Sequence, residues 1–188
     1  MATASSLMTA EQLLALPDDG FDRELIRGEL REYPTTTRGA PHCLAMTNLA
    51  LWLGGWLKQQ PQPRGRLYTG DIRVRIRRDP DTFVGVDLAY ISADLAAWTA
   101  NDATFVDGVP VLAIEILSPS DTIEGVAEKV HAYLDAGVLL VWEVSPFYRA
   151  VTVHRPGMPP EFFNVTHDLT AEPHLPGFLV PVAEVFAT

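Results

Sequence analysis

Residues 111–144 read "VLAIEILSPSDTIEGVAEKVHAYLDAGVLLVWEV": an apolar run, a break, a helical repeat and a second apolar run. No other stretch leaves so few folds open. Runs that are apolar on both sides of the pleat suit strands covered on both faces. Two such strands joined by a helix of this length pair in parallel, the helix crossing one face of the sheet. Asp121 with Glu124 reads as a capping box at the helix start, and Gly137 as its C-terminal cap. The unit places the chain in the mixed α/β class.

One residue resists that reading. Glu115 lies within the first apolar run, and an isolated carboxylate inside a fold costs several kcal/mol unless something pairs with it. The period of two puts Glu115 on one strand face with Val111, Ala113 and Leu117, near the carboxyl end where open α/β sheets place ligands. Asp87 interrupts the preceding run, "TFVGVDLAYIS", in the same way. Two carboxylates on neighbouring strands repel, and a hard dication such as Mg²⁺ or Mn²⁺ between them relieves the repulsion. At 3.6 residues per turn, Val126, Val130, Tyr133 and Leu134 form the buried stripe of the following helix. Lys129 falls on the edge of that stripe beside Tyr133, whereas Glu128, His131 and Asp135 face water. Lys129 is thus placed to orient a water or stabilise a phosphoryl oxygen. The structural alternatives are a lysine that only snorkels and acids that pair with Arg73, Arg75 or Lys129.

Upstream, Thr9 and Gln12 form a capping box for a short helix, and "RELIRGELREYP" reads as two strands turning at Arg27-Gly28. A helix follows from about Pro41 to Gln60, with Leu44, Thr47/Asn48 and Leu51 as its apolar spacing and Gly54-Gly55 weakening its end. The strands "RLYTGDIRVRI" and "TFVGVDLAYIS" come next, then a polar stretch around Trp98. "VTVHRP" reads as the hairpin partner of "VLLVWEV", and the tail "LPGFLVPVAEVF" as irregular packing with a final short helix.

The length of 188 residues fits one domain, spanning 1–188, with a core of its own. No apolar run reaches the roughly 18 residues of a membrane span, and the start shows no basic region followed by an apolar core. A single cysteine, Cys43, excludes a disulfide framework and Cys-rich zinc sites; it reads as a small core residue, and a reducing cytoplasm is the expected compartment. The net charge of −10 argues against a broad basic face of the kind that grips nucleic acid unaided. A phosphate substrate must be met by a metal, a local basic patch or a partner.

The order "MTAEQLLALPDDG…RELIRGEL…PHCLAMTNLA…GDIRVRI…VDLAYIS…FVDGVPVLAIEILSPSD…EKVHAYLDAGVLLVWEVSP…VTVHRPG…LPGFLVPVAEVF" resembles the Uma-two family of restriction endonucleases over essentially the whole chain. "IEILSPSD" followed by a helical Lys and Tyr is the most specific part. The resemblance implies a PD-(D/E)XK nuclease-like domain: a restriction endonuclease-like core, a mixed central sheet flanked by helices. It implies Asp87 and Glu115 as metal-binding acids and Lys129 as the catalytic lysine, moved to the helix because the usual lysine position is Leu117 here. Glu24 matches an additional acid near the metal, Asp71 a recurrent family acid and His42 a recurrent family histidine; Tyr133 accompanies the lysine. Val86 stands where the family has proline. The expected activity is Mg²⁺- or Mn²⁺-dependent hydrolysis of nucleic acid, DNA foremost; the alternative is a nuclease fold kept as a binding or dimerisation module. A homodimer is expected from the exposed edges and the tryptophans Trp52, Trp56, Trp98 and Trp142.

Overall fold

A computed structural model describes residues 7–188; the first six residues of the stretch read for a leader lie outside the described residues. In chain order the elements are α1 (Ala10–Leu14), β1 (Phe21–Ile26), β2 (Glu29–Pro34), α2 (Ala40–Gln59), β3 (Arg66–Arg77), β4 (Thr82–Ile91), α3 (Ala93–Trp98), β5 (Val106–Asp107) and β6 (Leu112–Ile116). There follow α4 (Ile123–Ala136), β7 (Leu140–Ser145), β8 (Ala150–His154), β9 (Glu161–Asn164), β10 (Asp168–Thr170), β11 (Leu179–Pro181) and α5 (Val182–Val185). The expected crossover is present: β6 and β7 pair in parallel from Leu112↔Leu140 to Ile116↔Val144, with α4 between them. Most other pairings are antiparallel.

The main sheet runs β2-β1-β4-β6-β7-β8-β9, with β3 on β4 and β5 on β3. One edge of β4 pairs with β3 along its length, from Arg66↔Ile91 to Arg77↔Thr82. The opposite edge is divided. β1 meets it at Leu25↔Phe83, and β6 meets it at Leu88, Ala89 and Tyr90. Between these contacts the sheet forks, leaving the edge of Val84–Asp87 without a partner strand. Across from Asp87, β3 carries a bulge between Thr69 and Ile72, in which Gly70 (φ 88°) and Asp71 (φ 64°) take left-handed backbone. A bulge there bends the strand and re-aims its side chains.

Both faces of the sheet are covered. On one, α4 buries Val130, Ala132 and Tyr133 against Val74, Val86, Ala113 and Val141. On the other, Ala45, Leu49 and Leu53 of α2 join Leu88, Ile114 and Trp142, with Val180, Val182 and Val185 of the C-terminal elements completing the layer.

Several sequence expectations change in detail. The N-cap of α4 is Thr122, whose side chain accepts the Gly125 N–H; Asp121 instead accepts the Ser118 N–H at 2.6 Å, closing the preceding turn. The buried face of α2 is His42, Ala45, Leu49 and Leu53, and Leu51 is 69% exposed. That helix is apolar on nearly every side, so spacing alone does not select its inner face. Cys43 is exposed for the same reason. The stretch around Trp98 holds α3 and β5, and the tail contributes the β10–β11 pair, all too short to show a period. No helix among the described residues is long and apolar enough to cross a membrane.

Candidate active site at the sheet fork

The fork creates an accounting problem for backbone donors, and acids solve it. Buried N–H groups must be paired. Glu24, on β1, accepts the Gly85 N–H at 2.9 Å. Asp87, on β4, accepts the Ile116 N–H with Oδ2 at 2.7 Å. Side-chain carboxylates thus stand where ladder hydrogen bonds would otherwise be. Glu115 projects from β6 towards α4, where Tyr133 donates its hydroxyl to Oε1 at 2.5 Å and Lys129 donates to Oε2 at 3.1 Å. The Lys129 ammonium also lies 2.9 Å from Glu24 Oε1, so it bridges acids from β1 and β6. Asp87 lies within the layer of the sheet, in the gap between β4 and β6, and faces α2 as well as the site.

Glu24, Asp71, Asp87, Glu115 and Lys129 line one cavity of about 450 Å³, together with Arg38 and Arg73. His42 and Tyr133 stand behind its wall. His42 is 3% exposed, its Nε2 is 3.3 Å from Asp87 Oδ1, and among the described residues neither ring nitrogen nor that oxygen makes a hydrogen bond. Asp71, held at positive φ in the bulge, accepts from Arg38 at 2.9 Å. Its other oxygen lies 3.2 Å from where a Cβ on Gly85 would sit, with Glu24 Oε1 at 3.7 Å, so glycine there leaves room for both acids. The structure places every candidate named from the sequence or from the family resemblance at this cavity or its wall; the sequence reading missed Gly85 and the meaning of the bulge. "TGD" in an otherwise alternating strand was the available signal.

The electrostatics follow from crowding. Burial pushes the Glu115 carboxyl up to about 8, with the charges of Asp87 and Glu24 adding to the rise and Lys129 opposing it. Burial works against the Lys129 ammonium, yet Glu115 and Glu24 outweigh it and hold its pKa above the usual lysine value. Burial, and then Glu115, keep the Tyr133 hydroxyl protonated well past its ordinary range, so it remains a donor.

Six acids and four cationic side chains line the cavity, an excess of acidic groups that a dication would offset. Among the described residues no group of three or more His, Cys, Asp or Glu side chains is placed to hold a metal ion. Mg²⁺ needs none: it is commonly held by one or two carboxylates and keeps the rest of its shell for water and substrate oxygens. The carboxylates of Glu24, Asp87 and Glu115 on the lining of one cavity are hard oxygen donors and fit such a dication on those terms, although Asp87 Oδ1 is turned towards His42.

Comparison with known proteins adds to the geometry. The Uma2 family, described as "Putative restriction endonuclease", matches residues 10–183. The crystal structure of a "putative nuclease belonging to DUF820" from Anabaena variabilis ATCC 29413 is similar, with a TM-score of 0.77 over 95% of this chain and 97% of that one, at 20% identity. At that identity the likeness concerns the fold. No curated protein matches the chain.

Proposed function

The chain belongs to the Uma2 family, and from that membership we propose that it is a nuclease dependent on Mg²⁺ or Mn²⁺ that hydrolyses phosphodiester bonds in DNA. The observation that carries the reading is the Lys129 ammonium set between Glu24 and Glu115 on the wall of the cavity that Asp87 also lines. Asp87 and Glu115 would hold the dication, with Glu24 reaching it through water. When bound, the metal supplies Lewis-acid polarisation of a phosphoryl oxygen and a more acidic water. Lys129 orients the attacking water and offsets negative charge on the phosphoryl group. Tyr133 fixes the Glu115 carboxylate by donating to Oε1. Attack of the water oxygen on phosphorus, in line with the departing oxygen, forms one P–O bond and breaks the other. The water gives its proton to solvent, and the departing oxygen takes one from solvent, leaving a phosphate monoester and a hydroxyl. A homodimer is part of the same proposal; sedimentation velocity should give twice the 20.7 kDa chain mass.

The test combines calorimetry with cleavage. Mg²⁺ or Mn²⁺ should bind the wild type, and Asp87→Asn should abolish binding. Plasmid nicking should require the metal and fall by roughly 10²–10⁴ in Lys129→Met, the range for losing a positioned proton-transfer or charge-stabilising group. No cleavage across varied DNA with either metal would sink the reading.

A second reading has its own observation. The Lys129–Glu115 contact of 3.1 Å is already an ion pair, as expected of a nuclease fold retained as a binding module. On that reading divalent ions leave thermal stability unchanged and no metal heat is seen.

A further inference from the structure

The cavity is lined by four cationic side chains, Arg23, Arg38, Arg73 and Lys129. Three are committed. Arg23 pairs with Asp19 and Glu32, each at 2.7 Å. Arg38 pairs with Asp71 at 2.9 Å, and Lys129 with Glu24 and Glu115. Arg73 differs: among the described residues its guanidinium makes no ion pair or hydrogen bond, although it is half-buried in a chain with 24 acidic and 14 basic side chains. Its one directed contact is with the Phe83 ring, whose centroid is 6.0 Å from Cζ. An aromatic face steadies a guanidinium without using its N–H donors. Arg73 lies on β3 opposite Gly85, across β4 from the edge that lacks a partner strand.

The guanidinium's N–H donors are unpaired among the described residues and reachable from the cavity, which leaves the group free to receive acceptor oxygens. The chemistry it matches is a planar pair of anionic oxygens. Lys129 does not present a planar pair of N–H donors, and its ammonium is already engaged by Glu24 and Glu115. We infer that Arg73 binds the non-bridging oxygens of a substrate phosphodiester, supplying the positive charge that the acid-rich cavity otherwise lacks. The inference rests on the nuclease reading for the identity of the ligand. Such a contact carries no base information, so it contributes alike to every sequence.

The experiment is fluorescence anisotropy of two unrelated labelled DNA duplexes in Ca²⁺ buffer, with wild type, Arg73→Ala, Arg73→Met, Arg73→Lys and Arg77→Ala. Arg77 is an exposed arginine of the same strand that does not line the cavity. Arg73→Ala should weaken binding of both duplexes about tenfold and lower the salt slope of log Kd by about 0.9, the value for one lost phosphate contact. Arg73→Met, which keeps the aliphatic stem over Phe83, should show the same loss, so that the effect is assigned to the guanidinium and not to a folding defect in the alanine variant. Arg73→Lys should recover part of the affinity, and Arg77→Ala should change little. Equal losses at Arg73 and Arg77, an unchanged salt slope, or no DNA binding by the wild type would each overturn the assignment. Wild-type cleavage in Mg²⁺ or Mn²⁺ judges the nuclease reading separately. Arg73-dependent binding without cleavage leaves this assignment standing and removes that one. Cleavage with Arg73→Ala behaving like Arg77→Ala does the reverse.

Discussion

Glu115 was the residue out of place in its strand, and in the fold it is the most crowded acid of the site. Its carboxyl titrates near 8 rather than 4.5, chiefly because it is buried. The sign of the consequence is set by linkage. A raised folded-state pKa contributes stability fully below about 4.5, and that contribution is lost as pH rises towards 8. The metal-free protein should therefore lose stability across that window, and Glu115→Gln should flatten the loss in urea titrations at successive pH values. A dication must displace the same proton. Apparent Mg²⁺ affinity should rise with pH, approaching about tenfold per unit below 8, and level off above it. Calorimetry in buffers of different ionisation heat should register the released proton. Tyr133→Phe removes a hydrogen bond that favours the charged carboxylate, so the same profile should move to higher pH with the ring still buried. Lys129 and Tyr133 were legible as the edge and the interior of a helical stripe. The closeness of Glu24 was not, because its strand lies remote in sequence and the family resemblance alone pointed to it.

At the scale of elements, α4 and α2 behaved differently under sequence reasoning, for a reason that can be stated. α4 alternates apolar and charged residues, so its inner face follows from period alone, and Gly137 ends it at φ 99°. Its cap was displaced by one residue, since Asp121 and Thr122 are both good caps and turn geometry chose between them. Thr122→Ala should cost about 1 kcal/mol in urea unfolding. It should also reduce cleavage, because Lys129 and Tyr133 ride on the same helix. α2 is apolar nearly all round, and only packing reveals that Leu49 is inside and Leu51 outside. Leu49→Ala should cost about 2–5 kcal/mol, and Leu51→Ala within about 0.5 kcal/mol, by chemical denaturation. That comparison reads the orientation of the helix directly.

At the scale of the molecule, the net charge of −10 and the concentration of acids at the fork set the conditions for any polyanion. With most cavity cations tied to carboxylates, DNA binding should depend on divalent ions. In EDTA at physiological salt it should fall below detection by anisotropy, and Mg²⁺ should restore it. Added Mg²⁺ should also raise the melting temperature in wild type but not in Asp87→Asn, by binding the native state alone. What the chain's residues determined unaided was local: a parallel crossover unit, two acids inside strands and a lysine on a helix edge, all consequences of periodicity within about a dozen residues. Tertiary structure decided the rest. The division of one edge of β4 between β1 and β6 brings Glu24 to Gly85 and Asp87 to Ile116. Backbone hydrogen bonds across such a fork are a global accounting, and no local pattern of side chains records where a strand will lack its neighbour.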